Sequence, residues 1–149
     1  MVSILLMTHG QIGLELLETA KNILGQISTP TACLSLNNKS DVNLIKAQAA
    51  QLLKRLDRGQ GVLIITDLYG ATPHNIAHAL SLDHPGNTHS SDINSISKAI
   101  VSGLNLPMLL RALNYAQDLS LEDLAEKTTQ GGHLGITCQQ VEINISAEL

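Results

Sequence analysis

The sequence contains no tryptophan or phenylalanine and only two tyrosines in 149 residues. That scarcity argues against single-stranded nucleic-acid binding, which relies on aromatic stacking platforms. It also leaves the core to Leu, Ile, Val and Ala, side chains suited to parallel strands covered by helices on both faces. The two cysteines, Cys33 and Cys138, do not make a disulfide framework. Each is expected to pack as a small apolar residue, Cys33 in a strand and Cys138 in the tail. Charged residues make up 15% of the chain, with a net charge of −4 and no polybasic run. The electrostatic footprint of a phosphate-backbone binder is therefore missing, and no nucleic-acid partner is expected. No apolar stretch approaches the roughly 20 residues that span a bilayer, and the N-terminus lacks the basic region of an export signal. A soluble cytoplasmic protein with reduced thiols and no membrane insertion is the expectation. Hydrophobic residues, at 44%, suffice for one domain over residues 1–149 with a substantial core.

Strand and helix patterns alternate along the chain. Val2 to Met7 is an apolar run too short for a helix, broken by Thr8-His9-Gly10. Ile12, Leu16, Leu17, Ala20 and Leu24 follow at helical spacing, with Gly25 as the stop. Thr31 to Leu36 reads as a second strand. Ser40 or Asp41 caps a second helix with an apolar stripe through Leu44, Ile45, Ala49, Leu52, Leu53 and Leu56. Gly61 to Thr66 is a third buried strand, and Thr72 as N-cap with Pro73 behind it starts a helix to about Leu82. Residues 83–97 are polar and read as a loop. Lys98 to Leu104 forms a fourth strand, Pro107 opens a helix to Ala116, and Ser120 caps a fifth helix ending at Gly131-Gly132. The tail from His133 to Ile145 alternates enough to be a final strand. Such strand–helix units in series imply a parallel sheet with right-handed crossovers.

Ligands gather beyond the carboxyl ends of the strands in open parallel sheets, and His9 and Asp67 both stand at such ends. If the first and third strands are neighbours, as in a 2-1-3-4 order, the two residues face each other across a switch point. A carboxylate that accepts a proton from one imidazole nitrogen leaves the lone pair of the other exposed. Helix N-termini nearby offer amides to an anion. The set fits receipt of a phosphoryl group, yet a general-base hydrolase would use the same pair. No serine or cysteine nucleophile sits at a matching elbow, which disfavours that hydrolase. His74 and His78 have the i, i+4 spacing of metal ligands but no third partner in fixed relation, so no metal and no cofactor are expected.

Three segments together resemble the enzyme IIA domain of the mannose family of the phosphoenolpyruvate:sugar phosphotransferase system. They are the strand ending in Thr8-His9-Gly10, the turn Asp67-Leu68-Tyr69-Gly70-Ala71-Thr72-Pro73-His74-Asn75, and Gly103-Leu104-Asn105-Leu106-Pro107-Met108-Leu109. The resemblance covers residues 1 to about 136. It implies that His9 is phosphorylated by the carrier HPr and passes the group to a IIB-type protein in sugar uptake. It also implies that Asp67 holds the other ring nitrogen. Thr72 stands where the family usually has a serine meeting the phosphoryl group, and Gly70-Ala71-Thr72-Pro73 replaces the usual Gly-Gly-Ser-Pro. The resemblance further implies a doubly wound sheet and a homodimer whose C-terminal strand can be exchanged. The fold expected is therefore α/β, with parallel strands in 2-1-3-4 order and an antiparallel edge strand from the tail. No IIB sequence lies within the 149 residues, so the expected acceptor is a separate IIB protein or a regulatory target. A stand-alone regulatory module switched at His9, and the related phosphocarrier subunit of dihydroxyacetone kinase, are the alternatives. Asn105-Leu106-Pro107 is read mainly as a strand-to-helix turn that can also line the rim of the site.

Overall fold

The computed structural model describes residues 1–37, 39–82 and 96–139. In chain order its elements are β1 (Ser3–His9), α1 (Ile12–Leu24), β2 (Thr31–Leu36), α2 (Val42–Leu56), β3 (Val62–Thr66), α3 (Thr72–Leu82), β4 (Lys98–Ser102), α4 (Leu106–Tyr115) and α5 (Leu121–Leu134). The four strands form one parallel sheet in the order β2-β1-β3-β4. This is the expected order, and it places a switch point between β1 and β3.

Alternation along the strands divides the core in two. Val2, Ile4, Leu6, Leu63, Ile65 and Val101 face α1, α4 and α5, meeting Leu17, Ala20, Leu109, Ala112 and Leu124. Leu5, Met7, Val62 and Ile64 face α2 and α3, meeting Ile45, Ala49, Leu53, Ile76 and Ala77. Both strand faces are covered, which is why Ile4 to Met7 of β1 and Val62 to Ile65 of β3 are unbroken apolar runs rather than alternating. Cys33 is half-buried in β2, as expected, and burial pushes its thiol up to about 11 although Lys21 nearby lowers it. Cys138 is exposed rather than packed. No described helix is long and apolar enough to cross a membrane.

Several boundaries differ from the sequence expectation. β1 runs through His9, because its ladder with β2 continues to the pair His9↔Leu36. β4 stops at Ser102, since the amides of Gly103 and Leu104 turn back to donate to the Thr66 carbonyl (3.0 and 3.1 Å). Thr72 is the first helical residue of α3 rather than its cap; the Ala71 carbonyl accepts the first helical bond, from the Asn75 amide (2.9 Å). The Asn105 side chain caps α4 by accepting from the Met108 amide (2.9 Å).

The larger correction concerns the C-terminus. Gly131 and Gly132 do not end α5; both lie inside it and are buried. A side chain at Gly131 would collide with Arg111, and one at Gly132 would come within 2.8 Å of Met108 Cε. The pair is there to bring α5 close to α4. Helix therefore occupies His133 and Leu134, and 135–139 form no strand. No antiparallel strand occurs among the described residues. The rest of the expected tail strand, like most of the expected 83–97 loop, lies outside them.

Candidate functional site

The register explains how His9 and Asp67 meet. Met7 pairs with Thr66, so β1 overhangs the end of β3 by two residues, and the chain after Thr66 turns beside that overhang. Asp67 Oδ2 accepts two hydrogen bonds from one residue, from the His9 backbone amide (3.0 Å) and from ring Nδ1 (2.9 Å). Oδ1 accepts from the Leu68 amide (3.0 Å). Asp67 is 10% exposed at the side chain and His9 42%, so the carboxylate is sheltered while the ring reaches solvent. An ionised carboxylate only accepts, so Nδ1 carries the proton and Nε2 keeps an open lone pair.

The backbone after His9 is specialised for this placement. Gly10 takes φ +50°, the left-handed region, and its amide donates to the Leu36 carbonyl (2.7 Å). Thr8, buried just before His9, accepts from the Gly13 amide through Oγ1 (2.9 Å). The first turn of α1 is thereby tied to the strand end, with its positive pole near the histidine.

His9 opens onto a cleft of about 310 Å³ lined by Leu36, Asn37, Ser40, Val42, Ile45, Thr72 and Ile76. Thr72 is exposed on the wall of that cleft in the first turn of α3, where helix amides and a hydroxyl can meet an anion. The three expected site residues thus gather at one end of the sheet. Ala71 fits the turn: among the described residues positive φ is confined to glycines, here Gly70 at +77°.

The sequence marks neither Asn37 nor Ser40 as a site residue; it offers Ser40 only as a cap for α2, a place that Asp41 takes by accepting from the Asn43 and Leu44 amides. They belong to the β2–α2 turn, where Ser40 Oγ accepts from the Asn37 amide (2.9 Å) and Asn37 Oδ1 from the exposed Lys39 amide (2.9 Å). Their only signal is position at the carboxyl end of a strand. Asn105 does not line the cleft; besides capping α4 it donates from Nδ2 to the Gly132 carbonyl (3.2 Å). His74 and His78 stack at 6.3 Å between ring centroids, and His74 Nδ1 is engaged by Ser102 Oγ (2.9 Å).

Comparison with known proteins fits this geometry. A family model described as "PTS system fructose IIA component" matches residues 3–129. The mannose-specific EIIAB component of the phosphotransferase system of Escherichia coli (strain K12) is 29% identical over 136 residues, 91% of this chain. The chain spans 38% of that relative's length. The fructose-specific EIIA component of Bacillus subtilis (strain 168) is 25% identical over 124 residues, covering 83% of this chain and 77% of the relative. Among solved structures, the mannose/sorbose-specific IIA subunit from Enterococcus faecalis superposes with a TM-score of 0.77 at 25% identity, over 95% of this chain and 97% of that one. The histidine–aspartate pair at the switch point thus belongs to a chain of the IIA component family of the phosphotransferase system.

Proposed function

We propose that this protein is a phosphoryl carrier in which His9 Nε2 accepts a phosphoryl group from phospho-HPr and delivers it to a separate IIB-type protein in sugar uptake. The observation that carries the reading is the 2.9 Å bond between His9 Nδ1 and Asp67 Oδ2. It holds the proton on one nitrogen and aims the lone pair of the other outward.

In the first transfer, the bond between phosphorus and the donor nitrogen breaks while the bond to Nε2 forms, and Nδ1–H stays with Asp67. The donor nitrogen recovers the electron pair. As the ring of His9 takes on positive character, the Asp67 carboxylate stabilises it. The transferred oxygens keep their negative charge throughout, so positioning and charge complementarity do most of the work. Thr72 and the first turn of α3 are assigned to those oxygens. The second transfer reverses the sequence with a different partner. Leu68 and Tyr69 follow Asp67 directly and are 60% and 79% exposed; Val42, 52% exposed, lines the cleft. Apolar groups around a polar centre suit docking of a protein rather than a small substrate. The reading extends to a cytoplasmic homodimer, which light scattering would report as twice the chain mass.

Single-turnover transfer of radiolabel from phospho-HPr tests the assignment. Wild type should take up label and His9→Ala none; label on the His9→Ala protein would move the acceptor elsewhere.

A further inference from the structure

One cluster of polar side chains beside the site has no role in the account so far. Thr66 Oγ1 and Ser102 Oγ lie 2.8 Å apart, at paired positions in the β3–β4 register. Ser102 Oγ then meets His74 Nδ1 at 2.9 Å. His74 stands in the first turn of α3, and the ring of Tyr69 leans on its ring with centroids 4.6 Å apart at 51°. Thr66 is fully buried and directly precedes Asp67.

We propose that His74 is a positioning residue, anchored through Ser102 so that the turn carrying Asp67 holds His9 in its Nδ1–H tautomer. Asp67 has to hold two groups of one residue at once. A single oxygen of its carboxylate serves two donors on His9 at 3.0 and 2.9 Å, an arrangement that a small rotation of the turn would break. Yet the turn itself gains little from the core, because Leu68, Tyr69 and Gly70 are exposed. Its restraints come from α3. Asn75 Nδ2 donates to the Gly70 carbonyl (3.0 Å), and His74 supports the Tyr69 ring. From His74 the contacts run through Ser102 back to Thr66, the residue before Asp67. The contacts therefore form a loop around the turn, one link of it the Tyr69–His74 ring contact, and the loop restrains the backbone that carries Asp67.

The kinetic consequence rests on the phosphoryl-carrier reading; the effect on the ring of His9 does not. The test uses the full chain with 15N-labelled histidine, as wild type, His74→Phe, His74→Asn, Ser102→Ala and the His74→Phe/Ser102→Ala double variant. Long-range 1H–15N spectra read the tautomer of His9, and transfer from phospho-HPr is timed in parallel. Wild type should show the Nδ1–H form alone. His74→Phe keeps a ring against Tyr69 but loses the bond to Ser102; it and Ser102→Ala should each mix in the Nε2–H form and slow transfer about tenfold. Members of one network do not add, so the double variant should be no slower than either single. His74→Asn places a side-chain amide, able to donate or accept, where Nδ1 lies and should restore both readouts. Unchanged spectra and rates in His74→Phe and Ser102→Ala would overturn the proposal, and so would a lower melting temperature with the His9 signals unmoved. Should His74→Phe fail to fold, Ser102→Ala alone decides. If wild type takes no phosphoryl group, the carrier reading fails by itself, and the spectra still judge His74.

Discussion

A carboxylate can only accept hydrogen bonds, and that one property sets the state of His9. Asp67 is sheltered, is bonded to its own neighbour's amide, and offers its second oxygen to both donors of one histidine. Asp67→Asn keeps the size but changes the donors. If its amide nitrogen faces His9 Nδ1, the ring must accept there, and the proton moves to Nε2, the nitrogen proposed to attack. We expect the variant to fold as wild type and to transfer phosphoryl groups at least about tenfold more slowly, in line with the usual effect of losing an orienting partner. Single-turnover rates check this; an unchanged rate would remove Asp67 from the mechanism. At this scale the sequence was informative where a residue sits at a strand end, as His9 and Asp67 do. Thr72 was placed one position off, because helix onset depends on which carbonyl accepts the first bond, here that of Ala71. The pairing of His74 with Ser102 was not legible at all. It joins residues 28 apart through the β3–β4 register, and no spacing rule within one element reports it.

At the scale of elements, the two glycines near the end of α5 show how one residue type carries opposite meanings. Glycine after an apolar stripe usually marks a helix end, and the sequence predicts an end at Gly131-Gly132 on that ground. The structure uses them inside the helix, where the missing side chains admit Arg111 and Met108 of α4. Sequence cannot separate the two uses, because the contact that requires glycine comes from another helix. Magnitudes decide what Gly131→Ala would do. Alanine gains about 1 kcal/mol of helix propensity, whereas forcing a methyl into a packed contact costs about 1–3 kcal/mol. The clash involves Arg111 Cβ and Cγ, at the root of its side chain rather than its flexible end, so the cost should win. Thermal unfolding should show a melting temperature several degrees below wild type; an equal or higher value would mean that α4 and α5 are not held so closely.

For the whole molecule, the scarcity of aromatics and the alternation of elements already point to a sheet covered on both faces. Buried β1 and β3 and the two cores flanking them follow from that composition. Strand order is a different matter. Chain order does not dictate it, and 2-1-3-4 is expected as the arrangement that sets His9 and Asp67 across a switch point. The cleft depends on that order: Asn37 and Ser40 from the β2–α2 turn, and Thr72 from α3, reach His9 only because β1 lies between β2 and β3. The proposed role of this end of the sheet is to hold a phosphoryl group on His9. Intact mass after incubation with phosphoenolpyruvate, enzyme I and HPr tests it most directly. A gain of about 80 Da, one phosphoryl group, is expected, lost on mild acid treatment and never seen on His9→Ala. No gain from a cognate, competent donor, or a gain that survives in His9→Ala, would contradict it.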